Sequence, residues 1–302
     1  MILRGVDEAT VSIYDDNVED WLEHGQPPRP APLDGFVART PSGIRADWPV
    51  VAEVERLPFR AGSLSGASAH RSYARVAAEQ LPMALADLHR ALARNAAVHM
   101  ELTSEAAVHL RDVVERAGFV IETRTGDSKE WIDVEATRER RLPDTVGASM
   151  RVLIVGLNPS IYSADAGVGF ARPGNRFWPA AITAGLVSRP LDPFRALRID
   201  RVGMTNIVAR ATRRADELLR DEYTAGVTQL ERLVAWLRPD AVCFVGVTGY
   251  RIAVDKRAPL GWQPDAFAGV PTYVMPNTSG VNAHAKPADF VDHLRAVQQP
   301  PT

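Results

Sequence analysis

Cysteine is almost missing from this sequence. The 302-residue chain holds one, Cys243, inside the apolar run 241–245. It therefore forms no internal disulfide and builds no thiolate-ligated iron–sulfur or zinc centre. No stretch of about 18 apolar residues occurs, which excludes a membrane-spanning helix. The first residues lack the basic-then-apolar pattern of a secretory signal. The 7 histidines are scattered without metal-ligand spacing, so neither a metal nor a cofactor is expected. Together these absences point to a reducing compartment and a cytoplasmic protein without membrane contact.

What is present suffices for one large core or two ordinary ones, since 46% of the residues are apolar. The net charge of −2 hides an asymmetry. From residue 149 onward 18 Arg/Lys stand against 13 Asp/Glu, whereas the first 148 residues hold 17 against 24. A basic half beside an acidic half is what a chain shows when only its second half meets a polyanion.

The composition changes near residues 143–149 (PDTVGAS), which divides the chain into domains 1–148 and 149–302. Upstream, the Pro-rich stretch 25–32 reads as loop. Leu81, Leu85, Leu88 and Leu92 repeat at helical spacing and predict a helix over 81–94. A second helix is predicted over 104–117, with Ser104 as N-cap and Gly118 as the residue after its end. Apolar runs at 119–122 and 131–136 predict antiparallel strands. In the second half strands are expected at 151–157, 202–206, 240–246 and 271–275. Helices are expected at 175–186, 222–237, 248–254 and 287–298. Short apolar strands alternating with helices give an α/β fold, a three-layer sandwich around a mostly parallel sheet.

The most informative stretch is 151–178, RVLIVGLNPSIYSADAGVGFARPGNRFW. Its apolar strand breaks at Gly156-Leu157-Asn158-Pro159-Ser160, which puts Asn158 at the carboxyl edge of a sheet, where open α/β folds bind ligands. Taken alone, an Asn before Pro is equally a turn residue. With GLNPS come SA, GF and PGNRFW, then TN at 205–206 and NTSGVN at 277–282. In that order the motifs resemble the mismatch-specific uracil/thymine DNA glycosylases, the Mug/TDG family of the uracil-DNA glycosylase superfamily. Some other uracil glycosylase families carry cysteine-ligated clusters, which this chain cannot.

That resemblance covers about 150 residues and implies a function. The chain would be a monofunctional DNA glycosylase that flips uracil out of G·U-mismatched duplex DNA, hydrolyses the N-glycosidic bond and leaves an abasic site. Thymine in G·T mismatches and other damaged bases are further substrates it could take. In the family the Asn of this motif aims the attacking water, a role that falls on Asn158. Leu157 replaces the usual Ile and Ser160 the usual Gly. The base pocket would comprise Leu157, Ser163, Phe170 stacking on the flipped base, and Asn206 hydrogen-bonding its Watson–Crick edge. Thr212 would lie near the attacking water. Residues Asn277, Ser279, Gly280, Val281 and Asn282 match the loop inserted into the stack, with Val281 as a wedge smaller than usual and Ala283 where an Arg can reach the opposite guanine. His284 beside them reads as a solvated or capping residue, and Asp165 as surface.

Phe177 and Trp178 read as core residues opening a helix after Asn175. Arg172, Arg176, Arg210, Arg213 and Arg214 are the basic residues expected near the phosphates. No lysine is placed for Schiff-base chemistry, Lys256 and Lys286 being the only ones after residue 148, so no lyase step is implied. The partners implied are mismatched double-stranded DNA and downstream abasic-site repair enzymes, with a monomer acting in the cytoplasm (at the nucleoid, in a prokaryote). The alternative reading is a non-catalytic binder of abasic or damaged DNA.

The first half carries its own likeness. LPF and RAGSLSGASAHRSYARV, then LPMALADLHRALA, AGFVIE and IDVEATRERRLPD, resemble the second half of a class I methyltransferase domain. Upstream stand only Gly5, Gly25, Gly35 and Gly43, with no G-x-G turn after an apolar strand to hold S-adenosylmethionine. A truncated, cofactor-free relic serving as scaffold or docking surface is the expectation.

Overall fold

A computed structural model describes residues 45–47, 57, 59–69, 73, 76–103, 109–125, 131–280, 282 and 285–301. The Pro-rich stretch 25–32, the four upstream glycines, Ser104, Val281, Ala283 and His284 lie outside the described residues. The chain divides into two compact units. One comprises Met1–Val76, Asp87–His109 and Phe119–Glu139, the other Ala77–Ala86, Leu110–Gly118 and Arg140–Thr302. Among the described residues no helix is long and apolar enough to cross a membrane.

The first unit is built on a mixed sheet of β1 (Arg45–Asp47), β2 (Leu64–Ala69), β3 (Leu92–Thr103), β4 (Phe119–Thr125) and β5 (Trp131–Arg138). Their order is β1-β2-β3-β5-β4. The pairs β1/β2 and β2/β3 are parallel, while β5 runs antiparallel to both β3 and β4. The antiparallel neighbours expected at 119–122 and 131–136 are therefore present. The helix expected over 81–94 is α1 (Leu81–Ala91) and stops short of its last predicted turn. Leu92 opens β3 instead, a strand the sequence pattern did not announce. LARNAAVHMELT is Ala-rich and locally helix-compatible, but pairing with β2 on one side and β5 on the other overrides that propensity. Asn95, at φ 59°, marks the irregularity where the β2/β3 register shifts.

In the second unit α2 (Leu110–Arg116) is followed by β6 (Val152–Gly156), α3 (Ile161–Ala166), α4 (Phe177–Thr183), α5 (Pro193–Arg198) and β7 (Val202–Asn206). Then come α6 (Arg220–Leu237), β8 (Val242–Val245), α7 (Val247–Ala253), β9 (Gly261–Trp262), β10 (Thr272–Met275) and α8 (Pro287–Ala296). The sheet order is β7-β6-β8-β10-β9, parallel except for the short β9. Every strand expected in this half is found, as are the four helices; the short α3 and α5 and the two-residue β9 were not anticipated.

Both faces of this sheet are covered, which is why its strands read as unbroken apolar runs. Leu153, Val155, Phe244 and Val274 pack on one face with Leu230, Leu233 and Val234 of α6. Val152, Ile154, Cys243 and Met275 pack on the other with Phe177 and Trp178 of α4 and Phe290 and Leu294 of α8. This is the three-layer α/β arrangement the alternation predicts. The chain leaves β6 toward β7 on one side and returns to β8 on the other, so the order reverses at β6. Gly156 pairs with Asn206 in register, which brings the carboxyl ends of β6 and β7 level at that switch point.

Candidate active site

Asn158 stands two residues past β6, in the turn that leads to α3. The turn is pinned to the segment after β7: Ile207 N–H donates to Gly156 O at 2.9 Å, Val208 N–H to Leu157 O at 2.9 Å, and Thr212 N–H to Pro159 O at 3.2 Å. The half-buried Asn158 amide is oriented by the same segment. Its Nδ2 donates to Thr212 Oγ1 at 2.7 Å and to the Arg210 carbonyl at 3.3 Å. A backbone carbonyl can only accept, so the group facing it must be the NH2. Oδ1 is thereby left without a partner among the described residues, as an acceptor able to take a hydrogen bond from a water. Thr212, itself buried, gives this amide its shortest hydrogen bond.

Gly156 is needed at the strand end for close approach. A Cβ there would lie 2.5 Å from Asn206 Oδ1 and 3.4 Å from Phe170 Cζ, so the missing side chain makes room for both. Asn206 is 8% exposed, and its side-chain amide has no hydrogen-bond partner among the described residues. Phe170 holds φ at 57° and stacks on Phe177 with centroids 4.4 Å apart at 24°. Phe177 and Trp178 are core residues as expected, and Asn175 Oδ1 caps the start of α4 by accepting from Phe177 N–H at 2.9 Å. Phe170 and Asn206 line one small cavity together with Pro143, Thr145 and Met204.

Leu157, Asn158 and Ser163 are not among the residues lining that cavity. Leu157 packs against Gly249 of α7, where an added Cβ would stand 3.1 Å from Leu157 Cδ1. Ser163 is buried in the first turn of α3, where Ser160 Oγ caps its N–H at 3.1 Å and donates to its hydroxyl at the same distance. Asp165 is exposed and pairs with Arg140.

The loop after β10 is held from outside. Arg176 donates to the carbonyls of Ser279 at 2.8 Å, Asn282 at 2.6 Å and Ala285 at 3.0 Å, while its guanidinium lies 4.7 Å from the Phe290 ring centroid. Asn277 Oδ1 accepts from Ser279 N–H at 2.9 Å, and Asn282 Nδ2 donates to Asn277 O at 2.7 Å. Gly280 approaches the neighbouring turn so closely that a Cβ would stand 2.8 Å from Gly174 O. Arg176, expected among the phosphate-facing residues, is therefore spent inside the protein on this loop. Arg210 is paired with Glu222 and the Glu217 carbonyl, and Arg214 with Asp216. Of that expected set only Arg172 and Arg213 are exposed with no ionic partner among the described residues.

Sequence reasoning missed the support beneath β7. Arg116 of α2, Asp144 and Thr205 form a buried hydrogen-bonded group that reaches the Asn206 carbonyl. The pattern gave one hint only, Asp144 in the boundary segment 143–149. Burial raises the Asp144 carboxyl above its ordinary value, while Arg116 and Thr205 pull it the other way.

The profile of the uracil DNA glycosylase superfamily matches residues 143–298. A solution structure of a candidate uracil DNA glycosylase from Methanosarcina acetivorans is similar at 17% identity over 53% of this chain and 98% of that one, with a TM-score of 0.33. The profile match spans over half of the chain and contains the Asn158 turn, Phe170, Asn206 and the loop after β10. The chain belongs to the uracil DNA glycosylase superfamily.

Proposed function

We propose that the chain is a monofunctional glycosylase that takes uracil from G·U mismatches in double-stranded DNA, and thymine from G·T mismatches and other damaged bases as further substrates. The observation that carries this reading is the tethered amide of Asn158. With Nδ2 committed to Thr212 and Arg210, Oδ1 is free to accept from a water and aim it at C1′ of a flipped nucleotide. The water oxygen bonds to C1′ as the C1′–N bond breaks, the bonding pair leaves with the base, and the water proton passes to solvent.

Asparagine cannot take that proton as a strong base near neutral pH. The barrier must therefore fall through an oxocarbenium-like transition state and a stabilised leaving base. A slow enzyme follows. The Asn206 amide, offering both a donor and an acceptor, suits the uracil edge, and Phe170 offers its ring to the face of the base. Arg172 and Arg213 are the cations left to meet phosphates, and the loop 277–282 with Val281 would fill the vacated stack. Lys256 and Lys286 lie beyond α7 and before α8, which supports hydrolysis without a lyase step. The abasic product would pass to downstream repair enzymes. Residues 1–148 are proposed as the remnant of a methyltransferase-like domain without its cofactor site.

Asn158→Ala tests the role of the amide. Single-turnover cleavage of uracil-containing duplex should be abolished, while binding to an abasic duplex, which needs no water activation, should persist. A variant with the wild-type rate would remove Asn158 from the chemistry.

A further inference from the structure

The side chain of Asn206 has no hydrogen bond of its own among the described residues, so its position must come from its backbone. That backbone is held by Arg116. The Arg116 Nη2 donates to the Asn206 carbonyl at 2.7 Å and to Thr205 Oγ1 at 2.5 Å. Its Nε donates to Asp144 Oδ2 at 2.5 Å, and Thr205 Oγ1 donates in turn to Asp144 Oδ1 at 2.7 Å. Guanidinium, carboxylate, hydroxyl and carbonyl close a circuit whose members are all nine-tenths or more buried. Asp144 is anchored at its other end by its N–H, which donates to Arg116 O at 3.0 Å.

Burying an ion pair this deeply adds little net stability, because desolvation offsets most of the Coulomb gain. A pair of apolar side chains would hold α2 to the sheet equally well. What they could not do is fix the carbonyl of one particular peptide at the end of β7. We propose that Arg116 is a positioning residue for base recognition, setting the pitch of the Thr205–Asn206 peptide and so the direction in which the Asn206 amide faces the base. This rests on the reading of Asn206 given above. Arg116 lies outside the superfamily match at 143–298, so the segment upstream of that match contributes directly to the site. The relation is one of support: Arg116 touches the peptide of Asn206 and not the base.

The test must separate positioning from stability, because removing Arg116 alone would leave Asp144 buried and unpaired. The double variant Arg116→Met/Asp144→Leu removes both charges and keeps apolar volume. It should unfold thermally with wild-type cooperativity and bind an abasic duplex as wild type does. Its single-turnover cleavage of uracil should nevertheless fall by about a hundredfold, the cost of a misplaced recognition group. In a cycle with Asn206→Ala the two effects should fail to add, since both act through the same amide. A folded double variant with the wild-type cleavage rate, or losses that add in full, would overturn the inference while leaving the glycosylase reading intact. Wild-type protein inactive on every uracil duplex would overturn both.

Discussion

A single hydroxyl makes the shortest of the hydrogen bonds that hold the Asn158 amide, whose orientation the Arg210 carbonyl sets. Thr212 Oγ1 is the closest of its three acceptors, at 2.7 Å against 3.3 Å for the Arg210 and Pro159 carbonyls. Thr212→Val keeps the shape and removes the acceptor, which frees the amide to turn. Single-turnover cleavage should fall about tenfold, the cost of losing one positioned hydrogen bond of about 1.4 kcal/mol. Thr212→Ser should restore most of it. An unchanged rate in Thr212→Val would mean that the Arg210 carbonyl and the turn suffice. At this scale the sequence was legible where a residue's chemistry is unusual for its place. Asn158 stands two residues past β6 and Asn206 ends β7, two places that had no structural need of an amide. It was illegible where the role depends on a distant partner: nothing local marks Arg176 as a loop clamp or Arg116 as a peptide anchor.

The elements were legible where burial was symmetrical. Strands covered on both faces, such as β6 with its apolar Val152–Gly156, announce themselves by composition. β3 did not, because its Ala-rich sequence is equally at home in a helix and only its two neighbours decide otherwise. The loop after β10 shows a similar dependence on context, since Arg176, just before α4, donates to its Ser279, Asn282 and Ala285 carbonyls. Arg176→Met should leave the carbonyls of Ser279, Asn282 and Ala285 without their donor, at about 1–3 kcal/mol for each group that stays buried. The expected outcome is a lower melting temperature and weaker retention of abasic duplex, with a smaller change in the cleavage step itself. Weaker product binding with no loss of stability would instead assign Arg176 to DNA after all.

For the whole molecule, pH reports on the first unit. His89 is 2% exposed, and its Nε2–H donates to the Glu139 carbonyl at 2.9 Å. Burial, helped by the charge of Arg138, lowers its pKa from 6.5 to about 3. Between those values the unfolded chain binds the proton and the folded chain does not. The stabilisation is therefore complete above pH 6.5 and lost as pH falls toward 3, with a slope of at most about 1.4 kcal/mol per unit. Denaturant titrations at successive pH values should show that slope, and His89→Gln, which keeps a donor without the titration, should flatten it. An unchanged slope in the variant would assign the acid sensitivity to other groups.

The second unit draws in Ala77–Ala86 and Leu110–Gly118, which no composition shift flags. The account as a whole depends on one activity. Single-turnover cleavage of labelled duplexes carrying G·U, A·U, G·T and undamaged G·C, with Asn158→Ala alongside, measures it most directly. The account predicts slow, Asn158-dependent release of uracil from G·U, an intact strand until the abasic site is cleaved by alkali, and no reaction on G·C. Tight binding to abasic duplex without release of any base would contradict it and leave a damage-binding protein in its place.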